Sequence, residues 1–254
     1  MLSVYSTLKE TVLLWLRNFW SFTVISLFLG SVEFGAERLQ DEIAALHTLL
    51  GIGVAIGMIA FHLFLSAINA AAILGLLKGR RMREPGWISL YGGVKNYTWT
   101  LMLMMLLLTL LAIPFVLLFF LLSLMLSASF GMAGGRIAVV IGVTLYLALL
   151  KYALADPLIV LENRDAWDAL EQSWVMTRGF LWYVIGCYLV LGLLQFGVTL
   201  GIGSFSATLK GPGTWLLELT PYVFAPLWIV MGWCMYFDIR KTRRSDFPVG
   251  ILYY

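Results

Sequence analysis

The sequence predicts an all-α, polytopic membrane bundle of about six transmembrane helices. Three observations carry this. Of the 254 residues, 61% are apolar and only 12% charged, where a soluble domain carries roughly 45–50% apolar and about 25% charged residues. The mean hydropathy is +0.91. Apolar residues also gather in runs long enough to cross a bilayer, which takes about 20 residues as helix. In water this composition would expose apolar patches beyond what monomers tolerate, so lipid is the medium that fits it.

Six stretches qualify as spans: 19–34, 49–77, 100–127, 137–161, 181–203 and 219–239. Backbone polar groups cannot stay unpaired in lipid, which leaves helices or a closed barrel. Uninterrupted runs such as Leu101 to Leu126 are unlike the short alternating strands of a barrel. Ahead of the first span, Lys9 and Arg17 followed by an apolar run and Gly35-Ala36 imitate a secretory signal. This segment is expected to stay as an anchor. The chain reads as a single transmembrane domain over 1–254.

Sidedness follows from the basic residues of the loops. Thirteen lie on the N-terminal side: Lys9, Arg17, Lys78, Arg80, Arg81, Arg83, Lys95, Arg164, Arg178, Arg240, Lys241, Arg243 and Arg244. Only Arg38, Arg136 and Lys210 lie opposite, and Lys151 falls within a span. The bias places both termini in the cytoplasm, with the protein expected in an inner (cytoplasmic) membrane. Glu33, Glu37, Asp41 and Glu42 are expected in an acidic first external loop.

Each outward-going span opens with a basic residue, a turn former, an aromatic and a nearby tryptophan: Arg17-Asn18-Phe19-Trp20, Lys95-Asn96-Tyr97-Thr98-Trp99 and Arg178-Gly179-Phe180-Leu181-Trp182. Arg17, Trp20, Lys95, Trp99, Arg178 and Trp182 are therefore candidate interfacial anchors. Such residues gather at any membrane surface; the sharper reading is a threefold pseudo-repeat of hairpins, with units 1–80, 81–163 and 164–254. Each instance also follows a short segment that can lie on the cytoplasmic face as an interfacial helix. Leu8, Val12, Trp15 and Leu16 form one helical stripe, and Ala166, Trp167, Leu170 and Trp174 form another. The middle counterpart, Trp87 to Val94, is expected to be shorter and broken by glycine. The repeated Pro-x-Asp/Glu-x-x-Lys/Arg signature of mitochondrial carriers is missing.

A longer motif begins at Asp156-Pro157-Leu158-Ile159-Val160-Leu161-Glu162. It continues through Ala169-Leu170-Glu171-Gln172-Ser173-Trp174 and Thr177-Arg178-Gly179-Phe180-Leu181-Trp182. With Tyr236-Phe237-Asp238-Ile239-Arg240 at the last helix end, it resembles the membrane-domain family named after glycerophosphoryl diester phosphodiesterases. The resemblance is specific over 156–182 and 236–240 and topological elsewhere. It implies a six-helix bundle, often a stand-alone bacterial protein of unassigned function. It does not imply phosphodiesterase activity, which in the enzyme relatives belongs to a separate barrel domain of roughly 250 residues.

Ionisable residues inside a membrane are the natural functional candidates. Lys151, Asp156 and His62 are the intramembrane ones. Lys151 and Asp156 stand about 140° apart on an ideal helix, so they pair only if the backbone distorts, for which Pro157 supplies a cause. A structural ion pair or carbonyl-capped lysine and a ligand or ion site both remain open. His62 and Gln195 suit interhelical hydrogen bonds, with a proton relay as the alternative for His62. Cys187 and Cys234 read as small buried residues, and Gly51, Gly53 and Gly57 as close-packing positions.

On the cytoplasmic face, Asp165, Asp168 and Glu171 give a surface helix the sign opposite to the usual one. Either an internal salt network with Arg80, Arg81, Arg83, Arg243 or Arg244 offsets them, or they dock a basic protein partner. No catalytic set, metal constellation or cofactor loop can be assembled, and no nucleic-acid partner is expected. The expected function is a non-enzymatic scaffold or lipid- and partner-binding module, with a small transporter or lipid-translocating permease as the alternative.

Overall fold

The computed structural model describes residues 2–44, 48–130, 149–208 and 213–243. Among them are eight α-helices and no strand. They are α1 (Val4–Arg17), α2 (Phe19–Ala44), α3 (Thr48–Met82), α4 (Gly86–Phe130), α5 (Ala155–Glu162), α6 (Ala166–Thr177), α7 (Leu181–Thr208) and α8 (Gly213–Thr242), with a 3₁₀ turn at Leu150–Tyr152. Five helices are long and apolar enough to cross a membrane: α2, α3, α4, α7 and α8. The chain is a multi-pass membrane protein built as a helical bundle.

The expected fourth span, 137–161, is corrected in part. Residues 137–148 lie outside the described residues, and the remainder is not one helix. It is interrupted between Leu150 and Leu154 before α5 begins. The acidic loop is also corrected, because α2 runs on to Ala44 and carries Glu33 as a buried helical residue. Glutamate, alanine and leucine are good helix formers, so the helix outlasts the apolar stretch.

At the other end α3 closes in a Schellman turn. The Glu84 amide donates to the Gly79 carbonyl (2.9 Å) and the Arg83 amide to the Arg80 carbonyl (3.3 Å). Arg83 takes the left-handed conformation (φ 61°) usually left to glycine. Pro85 follows and α4 turns back along α3. The two helices pack through small residues: a side chain at Gly75 would meet the Cα of Gly93 at 2.7 Å, and one at Gly93 the Ala71 carbonyl at 2.5 Å. Ala67, Ala71, Gly75 and Gly79 recur every fourth residue, the small-residue seam that lets membrane helices approach closely. Gly57, by contrast, has open space beside it, and the surroundings of Gly51 and Gly53 lie outside the described residues.

The buried core gathers towards the basic end of the bundle, where Arg17, Arg80 and Arg178 stand. It draws Ala67 to Leu77 from α3, Leu154 to Val160 around α5, Ala166 to Met176 from α6 and Val230 to Ile239 from α8. The far portions of α4 and α7, such as Val116, Phe120, Leu193 and Phe196, turn their apolar side chains outwards, as lipid-facing helices do.

Separate surface helices precede the first and third spans, but not the second. Asn18 divides α1 from α2, and Arg178 to Phe180 divide α6 from α7. The middle segment is continuous with its span: α4 runs unbroken through Gly92 and Gly93, against the expected glycine break. Both expected stripes need revision too. The face of α1 packed on the bundle carries buried Thr7 and Thr11 beside half-buried Leu8 and Trp15, while Val12 and Leu16 point outwards. In α6 the buried face is Ala166, Ala169, Leu170, Ser173, Met176 and Thr177, with Trp167 and Trp174 on the exposed side. At a bilayer boundary apolar side chains need not turn inward, since lipid receives them.

Candidate functional site

The most distinctive local structure is the break between the 3₁₀ turn and α5. Pro157 is the third residue of α5, where its missing N–H costs no helical hydrogen bond. The backbone groups released by the break are met from α6. The Leu154 amide donates to Ser173 Oγ (3.1 Å), and the Ser173 hydroxyl donates to the Lys151 carbonyl (2.9 Å). Thr177 Oγ1 also lies 2.9 Å from the Lys151 carbonyl and 2.8 Å from that of Ser173, so its one proton serves either. Gly232 of α8 lies against the break; a side chain there would come 3.3 Å from the Ala153 carbonyl.

Two residues beside the break were candidates from sequence. Lys151 makes no ion pair with Asp156 although the backbone is distorted. Its Nζ sits 3.4 Å from the centroid of the Trp174 ring and 5.5 Å from that of Tyr152, a cation–π arrangement that compensates a partly desolvated charge. The carbonyl cap also differs from expectation: the lysine's own carbonyl is held, not its ammonium. Asp156 lines a cleft of about 260 Å³ with Met104, Met105, Leu108, Leu150 and Tyr188. Among the described residues no hydrogen bond or ion pair reaches its carboxylate.

One turn further on, the end of α5 is the meeting point of four helices. Glu162 Oε1 accepts from the Tyr236 hydroxyl (2.6 Å) and lies 3.2 Å from Arg240 Nη1, while Arg164 Nε is 3.5 Å from Oε2. Arg240 also donates to the Tyr236 hydroxyl. From the other side Lys78 donates to the Val160 carbonyl (2.7 Å) and to the Tyr97 hydroxyl (2.7 Å), which donates to Asn163 Oδ1 (2.9 Å). Asn163 ends α5 in the left-handed conformation (φ 52°) that asparagine tolerates. A second node forms at Asp238, which accepts from Thr7 (2.5 Å) and Tyr183 (3.0 Å) and so ties α1 and α7 to α8.

The two segments that carried the family resemblance, 156–182 and 236–240, thus meet in space. Ser173 and Thr177 hold the break, Trp174 holds Lys151, and Glu162 receives Tyr236 and Arg240. Gly179 turns between α6 and α7 at φ 88°, where a side chain would be strained. Sequence reasoning assigned no contact to Ser173, Thr177, Lys78, Tyr97, Thr7 or Tyr183. The available signal was weak: Thr7 and Thr11, four residues apart, fall on one face of a helix that also carries Ser6, Lys9 and Glu10.

The remaining candidates fall elsewhere. His62 pairs with Glu33 across α2 and α3, and Ser26 donates to Asn69 (2.9 Å) lower on the same seam. Trp228 donates to Gln195 (2.8 Å) between α7 and α8. Cys187 and Cys234 are buried free thiols. Trp20, Trp99 and Trp182 are 78%, 71% and 84% exposed, facing the surroundings in the way interfacial anchors do, and Arg17, Lys95 and Arg178 are exposed beside them.

Asp165, Asp168 and Glu171 are exposed and make no ion pair among the described residues. The expected salt network is therefore not formed there: Arg81 rests on the Phe237 ring (4.4 Å) and Arg243 on Phe180 (5.3 Å), while Arg244 lies outside the described residues. A local cause accounts for two of the acids. Asp165 is the N-cap of α6, accepting the Asp168 amide at 2.9 Å, and Asp168 in the first turn favours the positive end of the helix. Among the described residues no three His, Cys, Asp or Glu side chains converge on one point. No family model, curated protein or solved structure matches the chain.

Proposed function

We propose that the chain is a non-enzymatic module of the bacterial inner membrane, both termini cytoplasmic, that binds lipid or a protein partner at its basic end. We place it, as a further part of the proposal, with the six-helix membrane domains it resembles. One observation carries the reading: several polar side chains inside the bundle are engaged with other helices. Ser26 with Asn69, Glu33 with His62, Trp228 with Gln195, and Ser173 with the Lys151 backbone are fasteners, and fasteners do not line a path. The network around Glu162 and Asp238 gives the basic end a fixed shape, which suits a binding surface. The exposed carboxylates of Asp168 and Glu171, beside a Trp167 that is 67% exposed, would meet a protein partner of basic character.

The test is solubilisation into lipid nanodiscs followed by native mass spectrometry. A stoichiometric lipid or protein that stays with the folded chain supports the module. A chain that carries neither, yet moves a solute in proteoliposomes, refutes it. The transporter reading draws on Asp156, whose carboxylate has no partner among the described residues and lies beside an interruption of the helix, the kind of place where transporters bind ions and substrates. That reading requires Asp156→Asn to abolish flux while the protein stays folded.

A further inference from the structure

A second cleft, of about 370 Å³, opens at the basic end where α1, α3 and α8 meet. Three guanidinium groups line it, Arg17 from α1 with Arg80 and Arg81 from α3, over a wall of Leu14, Leu77 and Trp233. Leu77 and Trp233 are almost fully buried, and the three arginines are exposed. Among the described residues no carboxylate lines the cleft. None of the three arginines makes an ion pair among the described residues; Arg81 is steadied by the face of Phe237, a contact that leaves its N–H edge available.

Each arginine belongs to the last turn of a helix, where a cation is favoured by the helix dipole. That explains their presence at helix ends. It does not explain their convergence on one cleft without a counter-charge, because like charges at close range repel. We propose that this cleft binds the headgroup phosphate of an anionic phospholipid. The inference rests on the reading of the chain as a lipid- or partner-binding module and gives that module a site and a ligand class.

Two features favour a lipid over a free anion. The cleft is half apolar, and the guanidinium groups stand over Leu14, Leu77 and Trp233, which suit glycerol and acyl carbons. Its mouth also lies beside the outward apolar stripe of α1, where Tyr5, Val12, Leu13 and Leu16 are exposed. That stripe places α1 along the bilayer surface. Basic pockets between transmembrane helices on the cytoplasmic side are the setting in which anionic headgroups are held.

The experiment uses the delipidated full chain in neutral detergent, titrated with phosphatidylglycerol, with phosphatidylcholine of the same acyl chains, and with inorganic phosphate. Binding is read by native mass spectrometry. The variant Arg17→Gln, Arg80→Gln, Arg81→Gln is compared with Lys9→Gln, Lys95→Gln, Lys241→Gln, which loses the same charge elsewhere. Wild type and control are expected to bind phosphatidylglycerol, the arginine variant on the order of a hundredfold more weakly, and phosphatidylcholine to be excluded. If the triple variant does not fold, Arg80→Gln alone carries the test, with about a fivefold loss expected.

Equal affinity of the arginine variant and the control overturns the site while leaving the module intact. So does equal binding of phosphatidylcholine. Displacement of the lipid by inorganic phosphate at comparable concentration overturns the lipid assignment. Wild type that holds neither lipid nor protein overturns both the site and the module.

Discussion

Prolines occupy apolar helical sequence in α4, in α8 and in the first turn of α5, with different results. Pro114 lies inside α4, and Pro221 and Pro226 inside α8, and those helices continue on both sides. Ahead of Pro157 the described chain is not continuous helix: a 3₁₀ turn at Leu150–Tyr152 is followed by a helix that begins only at Ala155. A proline removes one hydrogen bond wherever it stands inside a helix, so the proline is not what separates the cases. The difference lies in what faces the freed backbone. Ser173 and Thr177 from α6 replace the missing bonds at Lys151 and Leu154, and Gly232 leaves room for the displaced backbone. A break in a membrane helix persists where a neighbour satisfies it.

The comparison can be broken most directly by removing those partners. The double variant Ser173→Ala, Thr177→Val is expected to lose about 3 kcal/mol, because the buried Leu154 amide and the Lys151 carbonyl are left unpaired. Chemical unfolding in mixed micelles measures the loss, and hydrogen exchange at Leu154 should rise with it. An unchanged unfolding midpoint would show that the clamp is incidental.

The unbroken member of the comparison depends on docking against α3, so Gly93→Val is the next largest perturbation. Its added carbons would meet the backbone of Ala71 and Gly75, for a cost of about 2 kcal/mol by overpacking. If Gly93→Val leaves stability untouched, the seam is looser than its geometry implies. Trp174→Ala removes the ring beneath Lys151 at a cost of about 1 kcal/mol. Here Lys151→Met in the same background is informative, since no further loss should follow once the ring is gone.

The smallest effects sharpen the comparison most. Pro114→Ala should stabilise α4 by up to about 1 kcal/mol, by restoring an interior hydrogen bond. Pro157→Ala is expected to change stability by less than about 0.5 kcal/mol, since a first-turn proline forfeits nothing. The Leu154 amide should stay protected. Healing of the break by Pro157→Ala, seen as altered exchange across 150–156, would return the cause to proline and leave the Ser173 and Thr177 clamp a consequence of the break.

Much of the layout was legible in the sequence because it depends on local apolar content. The spans that became α2, α3, α4, α7 and α8 follow from runs too oily for water. The surface helices ahead of α2 and α7, and the outward tryptophans Trp20, Trp99 and Trp182, follow from the interface. The uses of the polar residues were not legible in the same way. Glu33 looked like a loop acid because charge usually marks the end of a span, yet it is buried against His62. Lys151 and Asp156 were expected to pair only if the backbone distorted; it is distorted, yet the lysine lies on an aromatic ring from α6.

What the sequence determined by itself, then, is the all-helical membrane class and the placement of most spans, since transfer of apolar side chains into lipid is summed residue by residue along the chain. What only the tertiary structure decided is where the helix breaks, which face of α1 turns inward, and how Glu162 meets Arg240 and Tyr236. These depend on partners about twenty or more residues away, and a hydrogen bond has no energy until both its ends are in place.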